Sequence, residues 1–260
     1  MKKVLVLGNS EKQRAIAEYL GKKFSIMHFE KALPKEAIEI SDAVILPLPA
    51  NDGENISGCE IKIGDIFGGG EKIYIGGKFG AAFDPYRKSN LLIDYAIRDD
   101  FAEKNAQPTA EAALMLAMQQ NPFTISGSKC VISGCGRIGK ALLKLLTAFG
   151  AEVFVLARSA EARRFAAKYG AAAFPFEDTG KIGRADTVFN TVPHRVLNEK
   201  ELKSLAPRLI LDLASAPGGC DFGAAKALGI NAVNALALPG KHFPETAAEV
   251  AAETILSILN

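Results

Sequence analysis

Three glycines with the spacing Gly134-x-Gly136-x-x-Gly139 lie between a short apolar run and a segment with helical periodicity. In such a strand–turn–helix setting, the first glycine permits a tight turn, the second lets a phosphate approach the backbone, and the third lets the helix pack close to the strand. The unpaired N–H groups and the dipole at the start of that helix favour a diphosphate. A turn that only packs a helix on a sheet is the alternative, but the next strand, 151–157, follows where a dinucleotide site requires it. The predicted diphosphate contacts are Gly134, Gly136, Arg137, Ile138 and Gly139.

The end of that second strand indicates which dinucleotide is bound. Enzymes that use NAD usually have an acidic residue there, which holds the ribose 2′-hydroxyl. This sequence has Arg158-Ser159 instead, and Arg163 and Arg164 lie one turn into the next helix. A guanidinium can bind a 2′-phosphate through paired, charge-assisted hydrogen bonds, so we expect NADP, held by Arg158, Ser159 and Arg163. For Arg163 and Arg164 the alternative is a solvated, basic helix start.

Length and composition limit the class of protein. The 260 residues are 48% hydrophobic and 23% charged, which is typical of a globular protein with one or two domains. The formal net charge is +2 and no basic block occurs, so neither nucleic acid nor a membrane surface is expected as a partner. No apolar stretch approaches the length of a membrane span. The four cysteines lack the spacing of a metal site, so we expect no metal, reduced thiols and a cytoplasmic protein.

Strand-like apolar runs alternate with helical segments along the chain, which predicts an α/β fold with doubly wound parallel sheets. Residues 1–120 are predicted to form a substrate domain, because this part keeps only Gly8 of a glycine fingerprint. Residues 121–245 are predicted to form the NADP-binding domain, and a last helix, 246–260, to pack back on the first domain. The interpretation is two Rossmann-like domains that flank a cleft.

Local signals predict several boundaries and loops. Ser10 with Gln13, and Thr246 with Glu249, have the spacing of capping boxes. A helix over 109–120 is predicted to begin directly after a proline. The polar loop 50–58 is either a wall of the substrate site or a solvated turn, and the glycine run 68–70 is expected to be flexible.

Three late segments follow strands whose carboxyl ends should face the nicotinamide. They are 190–194, 215–219 and 238–242, all interpreted as loops. His194 and His242 lie in two of them and are the candidates for proton transfer. The predicted cofactor contacts in the first segment are Thr191, Val192 and Pro193.

Other polar residues are candidates for catalysis or for holding a substrate. Asp212 lies inside an apolar strand, where a carboxylate must be hydrogen-bonded, so its role is either architectural or catalytic. Arg98 could meet a substrate carboxylate or pair with Asp99 or Asp100. Glu111 is either a surface acid favoured by the helix dipole or a residue facing the site. The predicted substrate contacts are Arg98, Glu111, Thr191, Ser215, Gly218 and Gly219.

Several motifs together resemble the family formed by the A chains of bacterial dipicolinate synthases, over nearly the whole chain. They are Leu209-Ile-Leu-Asp-Leu-Ala-Ser-Ala-Pro-Gly-Gly219 with Asp221-Phe222, Arg98-Asp-Asp100, Pro108-Thr-Ala-Glu111, Ile125-Ser-Gly-Ser128, Ala157-Arg-Ser159, and Leu238-Pro-Gly240 with Pro244 and Thr246. The sequence differs from the longer members in its short segment between Gly58 and Gly70.

This resemblance implies an NADP-dependent enzyme that oxidises dihydrodipicolinate, or its hydrated 4-hydroxy-tetrahydro precursor, to pyridine-2,6-dicarboxylate. It also implies a dicarboxylate substrate and the mother cell of a sporulating bacterium as location. The implied partner is the flavoprotein-like B chain of dipicolinate synthase. Whether the chain also forms a homo-oligomer stays open.

The domain plan also resembles D-2-hydroxyacid dehydrogenases. Those enzymes use an arginine in the loop after the strand that carries Asp212, whereas loop 215–219 contains none. Two other interpretations remain: a dehydrogenase of the hydroxyacid or amino-acid type, and an NADP-binding regulatory protein without catalysis.

Overall fold

The computed structural model describes residues 1–68 and 70–260. Residue 69, in the glycine run expected to be flexible, lies outside the described residues. Internal contacts divide the chain into two compact units, which we call unit 1 (Met1–Asn105 with Phe243–Asn260) and unit 2 (Ala106–His242). The sequence placed a domain boundary at 120/121, whereas this division falls inside a helix.

Unit 1 is built on a parallel sheet with the strand order β2-β1-β3-β6-β7. Its short antiparallel pair β4–β5 lies within the loop predicted over 50–58. The elements are β1 (Lys3–Leu7), α1 (Glu11–Gly21), β2 (Ser25–Phe29), α2 (Lys35–Glu39), β3 (Ala43–Ile45), β4 (Asn51–Asp52), β5 (Asn55–Ile56), β6 (Ile73–Gly76) and β7 (Leu91–Asp94), with 3₁₀ helices at Ile63–Ile66, Ala81–Tyr86 and Tyr95–Ile97.

The central strand β1 shows why this sheet forms. Its residues Val4 to Leu7 are fully buried, because both faces of a parallel sheet are covered. Alternate side chains point to opposite faces. Val4 and Val6 pack in one apolar cluster with Ile16 of α1, and Leu5 and Leu7 pack in another with Ile38 of α2.

Helix α3 (Asp99–Gln120) begins earlier than predicted and carries Pro108 in its interior. A proline inside a helix removes one hydrogen bond and costs about 3 kcal/mol, which is why the sequence favoured a start at this residue. Phe101, Ala106 and Ala110 are buried on either side of the proline. Burial of this apolar face offsets the local cost, so the helix continues through the proline.

Unit 2 is built on a parallel sheet with the order β10-β9-β8-β11-β12-β13, the strand order of a dinucleotide-binding Rossmann fold. Its elements are β8 (Lys129–Ser133), α4 (Arg137–Ala148), β9 (Glu152–Leu156), α5 (Ala160–Lys168), β10 (Ala172–Phe174), β11 (Thr187–Asn190), α6 (Glu199–Leu205), β12 (Leu209–Asp212), α7 (Phe222–Ala227), β13 (Asn231–Asn234) and α8 (Leu238–His242), with a 3₁₀ helix at Phe176–Lys181. Both units are therefore α/β and Rossmann-like, as the sequence predicted.

The last helix, α9 (Pro244–Leu259), belongs to unit 1 and packs against α1. The capping box expected from Thr246 and Glu249 is wrong, because the helix begins at Pro244 with Phe243 as its N-cap residue. Proline is favoured at a first helical position, where its missing N–H would have had no helical partner. Ala251 and Ile255 of this helix are fully buried in the cluster that contains Ile16.

The predicted capping box at the start of α1 forms only in part. The Ser10 hydroxyl accepts a hydrogen bond from the Gln13 backbone N–H at 3.2 Å. The Gln13 side chain does not return to Ser10; its Nε2 donates to the Leu7 carbonyl at 2.7 Å. Gln13 therefore fixes the turn between β1 and α1.

Within the described ranges, no helix is both long and apolar enough to cross a membrane.

Candidate functional site

The predicted phosphate turn lies at the centre of the unit 2 sheet. Strand β8 ends at Ser133 and α4 begins at Arg137, so Gly134 to Gly136 form the turn. The strand order reverses between β8 and β11, and ligands of open α/β sheets bind outside the carboxyl ends of strands at such a point. The topology places the three glycines where a dinucleotide would bind.

Each glycine of the turn has a separate steric reason. A Cβ atom on Gly139 would lie 2.2 Å from the Gly134 carbonyl oxygen, so only glycine lets the helix pack this close. Gly134 has φ +97°, and a Cβ there would lie 2.5 Å from the Thr191 Oγ1 atom. A Cβ on Gly136 would meet no atom within 4 Å. The open space at Gly136, beside the uncapped start of α4, fits a bound diphosphate.

The three residues predicted to hold a 2′-phosphate differ in what their side chains do. Ser159 is the N-cap of α5 and its hydroxyl accepts from Ala162 N–H at 3.1 Å. Arg163 Nη1 donates to the carbonyl oxygens of Ala157 and Arg158, at 2.7 and 2.6 Å. The exposed Arg158 side chain makes no hydrogen bond or ion pair with any described residue. Arg163 therefore fixes the backbone of Arg158, and the contact of the Arg158 guanidinium with a 2′-phosphate stays a prediction.

A row of polar side chains crosses the sheet at the last residues of neighbouring strands. Ser133, Asn190, Asp212 and Asn234 are aligned in the register of β8, β11, β12 and β13. Ser133 and Asn190 are fully buried, and the Ser133 hydroxyl has no hydrogen-bond partner within the described chain. The row shows that the carboxyl edge of this sheet is polar although the strands themselves are apolar.

Asp212 is the buried centre of that row. Its Oδ1 accepts from Asn190 Nδ2 at 2.7 Å and from Ala214 N–H at 3.2 Å. Its Oδ2 accepts from the N–H groups of Gly219 and Cys220, each at 2.9 Å. Of the two roles considered for Asp212, this geometry supports the architectural one, since the carboxylate closes the loop that follows β12.

The Gly218 and Gly219 N–H groups, predicted to contact substrate, have acceptors within the chain, and a substrate contact of this backbone stays a prediction. Gly219 N–H donates to Asp212, and Gly218 N–H donates to the Ser215 carbonyl at 2.9 Å. Both donors are used by acceptors at the start of the same loop, the Asp212 carboxylate and the Ser215 carbonyl. The Ser215 side chain is exposed, so its hydroxyl stays a candidate for substrate.

The Asn190 side chain contributes to the candidate site, although no role was assigned to it from the sequence. Its Nδ2 also donates to the Val192 carbonyl at 3.0 Å, and its Oδ1 accepts from Val192 N–H at 3.3 Å. A Cβ on Gly219 would lie 2.3 Å from Asn190 Nδ2. The available signal was an asparagine at the end of an apolar strand, opposite the aspartate of the next one.

The segment after β11 lies against the glycine turn. Thr191 Oγ1 donates to the Ser133 carbonyl at 3.0 Å, and the Val192 side chain would contact a Cβ on Gly134. Pro193 and His194 follow and are exposed. The place of this segment beside the glycine turn is compatible with the predicted contacts of Thr191, Val192 and Pro193 with a cofactor. Those contacts stay predictions.

The segment 238–242 is a helix, α8, and the predicted loop is wrong. The Pro-Gly pair suggested a turn, but Pro239 occupies the first turn of the helix, where its missing N–H costs nothing. His242 is the exposed last residue of α8. Its role in proton transfer stays a prediction.

Two predicted substrate residues have partners in the structure. Glu111 lies in the middle of α3 rather than in its first turn, and its carboxylate accepts from Gln107 Nε2 at 2.8 Å. Arg98 forms a paired interaction with Asp100, from Nε and Nη2 at 3.0 Å each, and its Nη2 lies 3.4 Å from the Ser257 hydroxyl. Two alternatives were considered for Arg98, a contact with a substrate carboxylate and an ion pair with a neighbouring aspartate. The structure shows the ion pair, with Asp100.

We expect Arg98→Ala to raise the pKa of Asp100 towards its usual value. The Arg98 guanidinium, through its hydrogen bonds, holds the pKa of that carboxyl below its usual range. Stability from a depressed carboxyl pKa is present above the unfolded pKa and is lost as pH falls through the folded one. The variant should thus melt lower than wild type at neutral pH and equally in acid. Carboxyl titration by NMR and thermal melts check this, and an unchanged Asp100 titration would contradict it.

Comparison with known proteins finds a related domain family and a related protein. The D-isomer specific 2-hydroxyacid dehydrogenase NAD binding domain matches residues 100–213. The dipicolinate synthase A chain of Bacillus subtilis (strain 168) is 34% identical over 236 residues, which cover 84% of this chain and 77% of that protein.

Solved structures of dipicolinate synthase A chains resemble this chain over nearly its whole length. The crystal structure of the dipicolinate synthase A chain from Bacillus halodurans has a TM-score of 0.90 at 26% identity and covers 99% of this chain and 97% of its own. The A chain from Bacillus subtilis has a TM-score of 0.85 at 28% identity, over 99% and 95%. D-lactate dehydrogenase from Escherichia coli, 16% identical with a TM-score of 0.64 over 99% and 96%, shares the fold. The chain therefore belongs to the family of dipicolinate synthase A chains, a branch of the oxidoreductases with a nicotinamide dinucleotide-binding domain.

Proposed function

We propose that this chain uses NADP to oxidise dihydrodipicolinate, or its hydrated 4-hydroxy-tetrahydro precursor, to pyridine-2,6-dicarboxylate. The proposed product follows from the relatives, which are named dipicolinate synthase. The observation that carries the cofactor choice is the exposed, unengaged guanidinium of Arg158 at the end of β9, where an NAD enzyme would have an acid. No acidic side chain stands at this position to hold a 2′-hydroxyl.

The residues present fit a bound dinucleotide. Gly136 leaves open space beside the start of α4, and the helix N–H groups there face the position of a diphosphate. Arg158 would bind the 2′-phosphate, with its backbone held by Arg163. Bound NADP supplies the acceptor for a hydride from the substrate ring.

The rest of the proposed reaction requires few protein groups. Loss of a hydride and a proton from a dihydropyridine ring gives an aromatic product, so the driving force lies in the substrate. The chain has to orient the ring and accept one proton. His194 and His242 are the proposed proton acceptors, and the exposed Ser215 hydroxyl is the proposed donor to a substrate carboxylate. The Thr191 hydroxyl donates to the Ser133 carbonyl, so it is not proposed as a second donor. The hydrated precursor must also lose water, for which a protonated histidine would serve as the acid.

The proposal includes the biological setting that the family suggests. We propose that the chain acts in the mother cell of a sporulating bacterium, together with the flavoprotein-like B chain of dipicolinate synthase. Co-purification of the two chains from sporulating cells tests the partnership.

NADPH formation in a mixture of chain, NADP⁺ and dihydrodipicolinate tests the activity. An increase in NADPH absorbance that requires the substrate supports the proposal. An increase with 2-hydroxy acids instead would favour a hydroxyacid dehydrogenase. Binding of NADP⁺ without turnover of either class would favour a regulatory protein.

We expect Arg158→Ala to weaken NADP⁺ binding and to leave NAD⁺ binding nearly unchanged. A hydrogen bond to a charged group contributes about 1.5–3 kcal/mol, so the loss should be roughly 10- to 150-fold. Titration calorimetry with both dinucleotides measures it. Arg164→Ala is the matched control, because Arg164 is also exposed at the start of α5, and it should bind both dinucleotides as wild type does. Equal losses for both dinucleotides in Arg158→Ala would show that Arg158 does not select the cofactor.

A further inference from the structure

Unit 1 has a switch point of its own. From β1 the chain moves outward to β2, and then from β3 to β6 and β7 in the opposite direction. The reversal lies between β1 and β3, and a ligand of such a sheet binds beyond the carboxyl ends of these strands. The turn after β1 contains Gly8 without the two further glycines of a nucleotide fingerprint. A smaller ligand than a dinucleotide is therefore expected at this point.

Lys12 lies at this switch point and has no acidic partner among the described residues of unit 1. It lies in the first turn of α1, directly after β1, and is partly buried. Its Nζ atom forms no hydrogen bond or ion pair within the described part of unit 1, and the contact found is with the Tyr95 ring, whose centroid is 5.9 Å away. Burial lowers the pKa of Lys12 to about 8. By contrast, the ammonium of the buried Lys72 donates to the Ile38 carbonyl.

Tyr95 adds a second unsatisfied donor. It follows β7 at the same carboxyl edge, is fully buried, and packs its ring against Phe101 with centroids 5.1 Å apart. Its hydroxyl has no hydrogen-bond partner among the described residues. Most buried hydroxyls in proteins have a partner, so this one suggests a group that binds there.

We propose that Lys12 and the Tyr95 hydroxyl bind one carboxylate of the substrate in unit 1. The ammonium supplies the opposite charge, the phenol supplies a hydrogen bond, and the start of α1 adds a dipole that favours an anion. Glu11 is the acidic residue of the same turn, and its side chain is exposed. This inference rests on the proposed function, because the dicarboxylate is the substrate proposed above.

Calorimetric titration of pyridine-2,6-dicarboxylate into the NADP⁺-saturated chain tests the site without requiring turnover. Lys12→Met keeps the length of the side chain and removes its charge, and we expect dicarboxylate binding to weaken about 10- to 150-fold. Lys12→Arg should retain most of the affinity, because the positive charge stays. NADP⁺ affinity should not change in either variant. Lys22→Met is the matched control, because Lys22 follows the same helix at its other end and also lies over a ring, that of Tyr19 at 5.1 Å.

Tyr95→Phe tests the second donor and separates it from a structural role. Because the hydroxyl has no partner in the structure, its removal should not lower the melting temperature, while dicarboxylate binding should weaken several-fold. Wild-type dicarboxylate binding by Lys12→Met would overturn the inference and leave the proposed function intact. Wild-type binding by Tyr95→Phe would remove the hydroxyl from the site. Failure of the wild-type chain to bind the dicarboxylate would overturn both the inference and the proposed function.

Discussion

Gly136→Ala is expected to abolish most NADP⁺ binding while leaving the melting temperature close to that of wild type. A Cβ at this position would meet no atom of the chain within 4 Å, and the backbone has an ordinary extended conformation with φ −79°. The fold therefore tolerates the methyl group. The same methyl group would stand where a diphosphate approaches the backbone. Losing two charge-assisted hydrogen bonds of about 1.5 kcal/mol each corresponds to roughly 150-fold or more.

Gly139→Ala is the informative comparison, because its Cβ would lie 2.2 Å from the Gly134 carbonyl oxygen. Overpacking of this kind costs about 1–3 kcal/mol, so this variant should lose stability as well as NADP⁺ binding. Calorimetric titration and thermal melts on the two variants measure both effects. Wild-type NADP⁺ affinity in Gly136→Ala would show that the turn serves only to pack the helix on the sheet.

The turn could be predicted from sequence because its causes are local. The spacing of three glycines, one buried strand before them and one amphipathic helix after them all fall within about twenty residues. The same holds for β1, whose continuous apolar run is the usual form of a strand buried on both faces. These features need no knowledge of what else lies nearby in the folded chain.

The structure differs from the expectations where contacts made only in the folded chain decide the outcome. Pro108 is a strong local signal for a helix start, but the buried residues on both sides of it carry α3 through. Gly218 and Gly219 have N–H groups that seemed available, and Asp212 and Ser215 occupy them once the loop has folded. Capping rules could not show that the Gln13 side chain turns back to β1.

The sequence predicts more about the candidate cofactor site than about the proposed substrate site. Arg158 is a candidate from sequence because the residue after the second strand of a dinucleotide-binding domain usually contacts the ribose. The role proposed for Lys12 was not predicted, since a lysine in a first helical turn carries no sequence signal. Its significance comes from the absence of an acidic partner among the residues that the structure describes around it, and from the phenol of Tyr95.

Asp212→Ala is expected to destabilise the chain by at least about 3 kcal/mol. The substitution removes the acceptor for four donors, the Asn190 side chain and three backbone N–H groups. A buried donor left without a partner costs about 1–3 kcal/mol, and relaxation of the loop recovers part of the sum. For a chain of this size, each kcal/mol lowers the melting temperature by about 2–4 °C. Urea unfolding and thermal melts measure the loss.

Asp212→Asn decides between the two roles considered for this residue, because it keeps the shape and removes one accepting oxygen. If Asp212 is architectural, the amide group would face backbone N–H donors such as those of Gly219 and Cys220, and the variant should be clearly less stable than wild type. Asp221→Asn is the matched control, because asparagine caps α7 as well as aspartate does and the lost ion pair with Arg195 is exposed, worth about 0–1 kcal/mol. Normal stability of Asp212→Asn, combined with a loss of turnover and unchanged NADP⁺ binding, would contradict the architectural role. It would assign the carboxylate to the chemistry, because an amide of the same shape cannot accept a proton from the substrate.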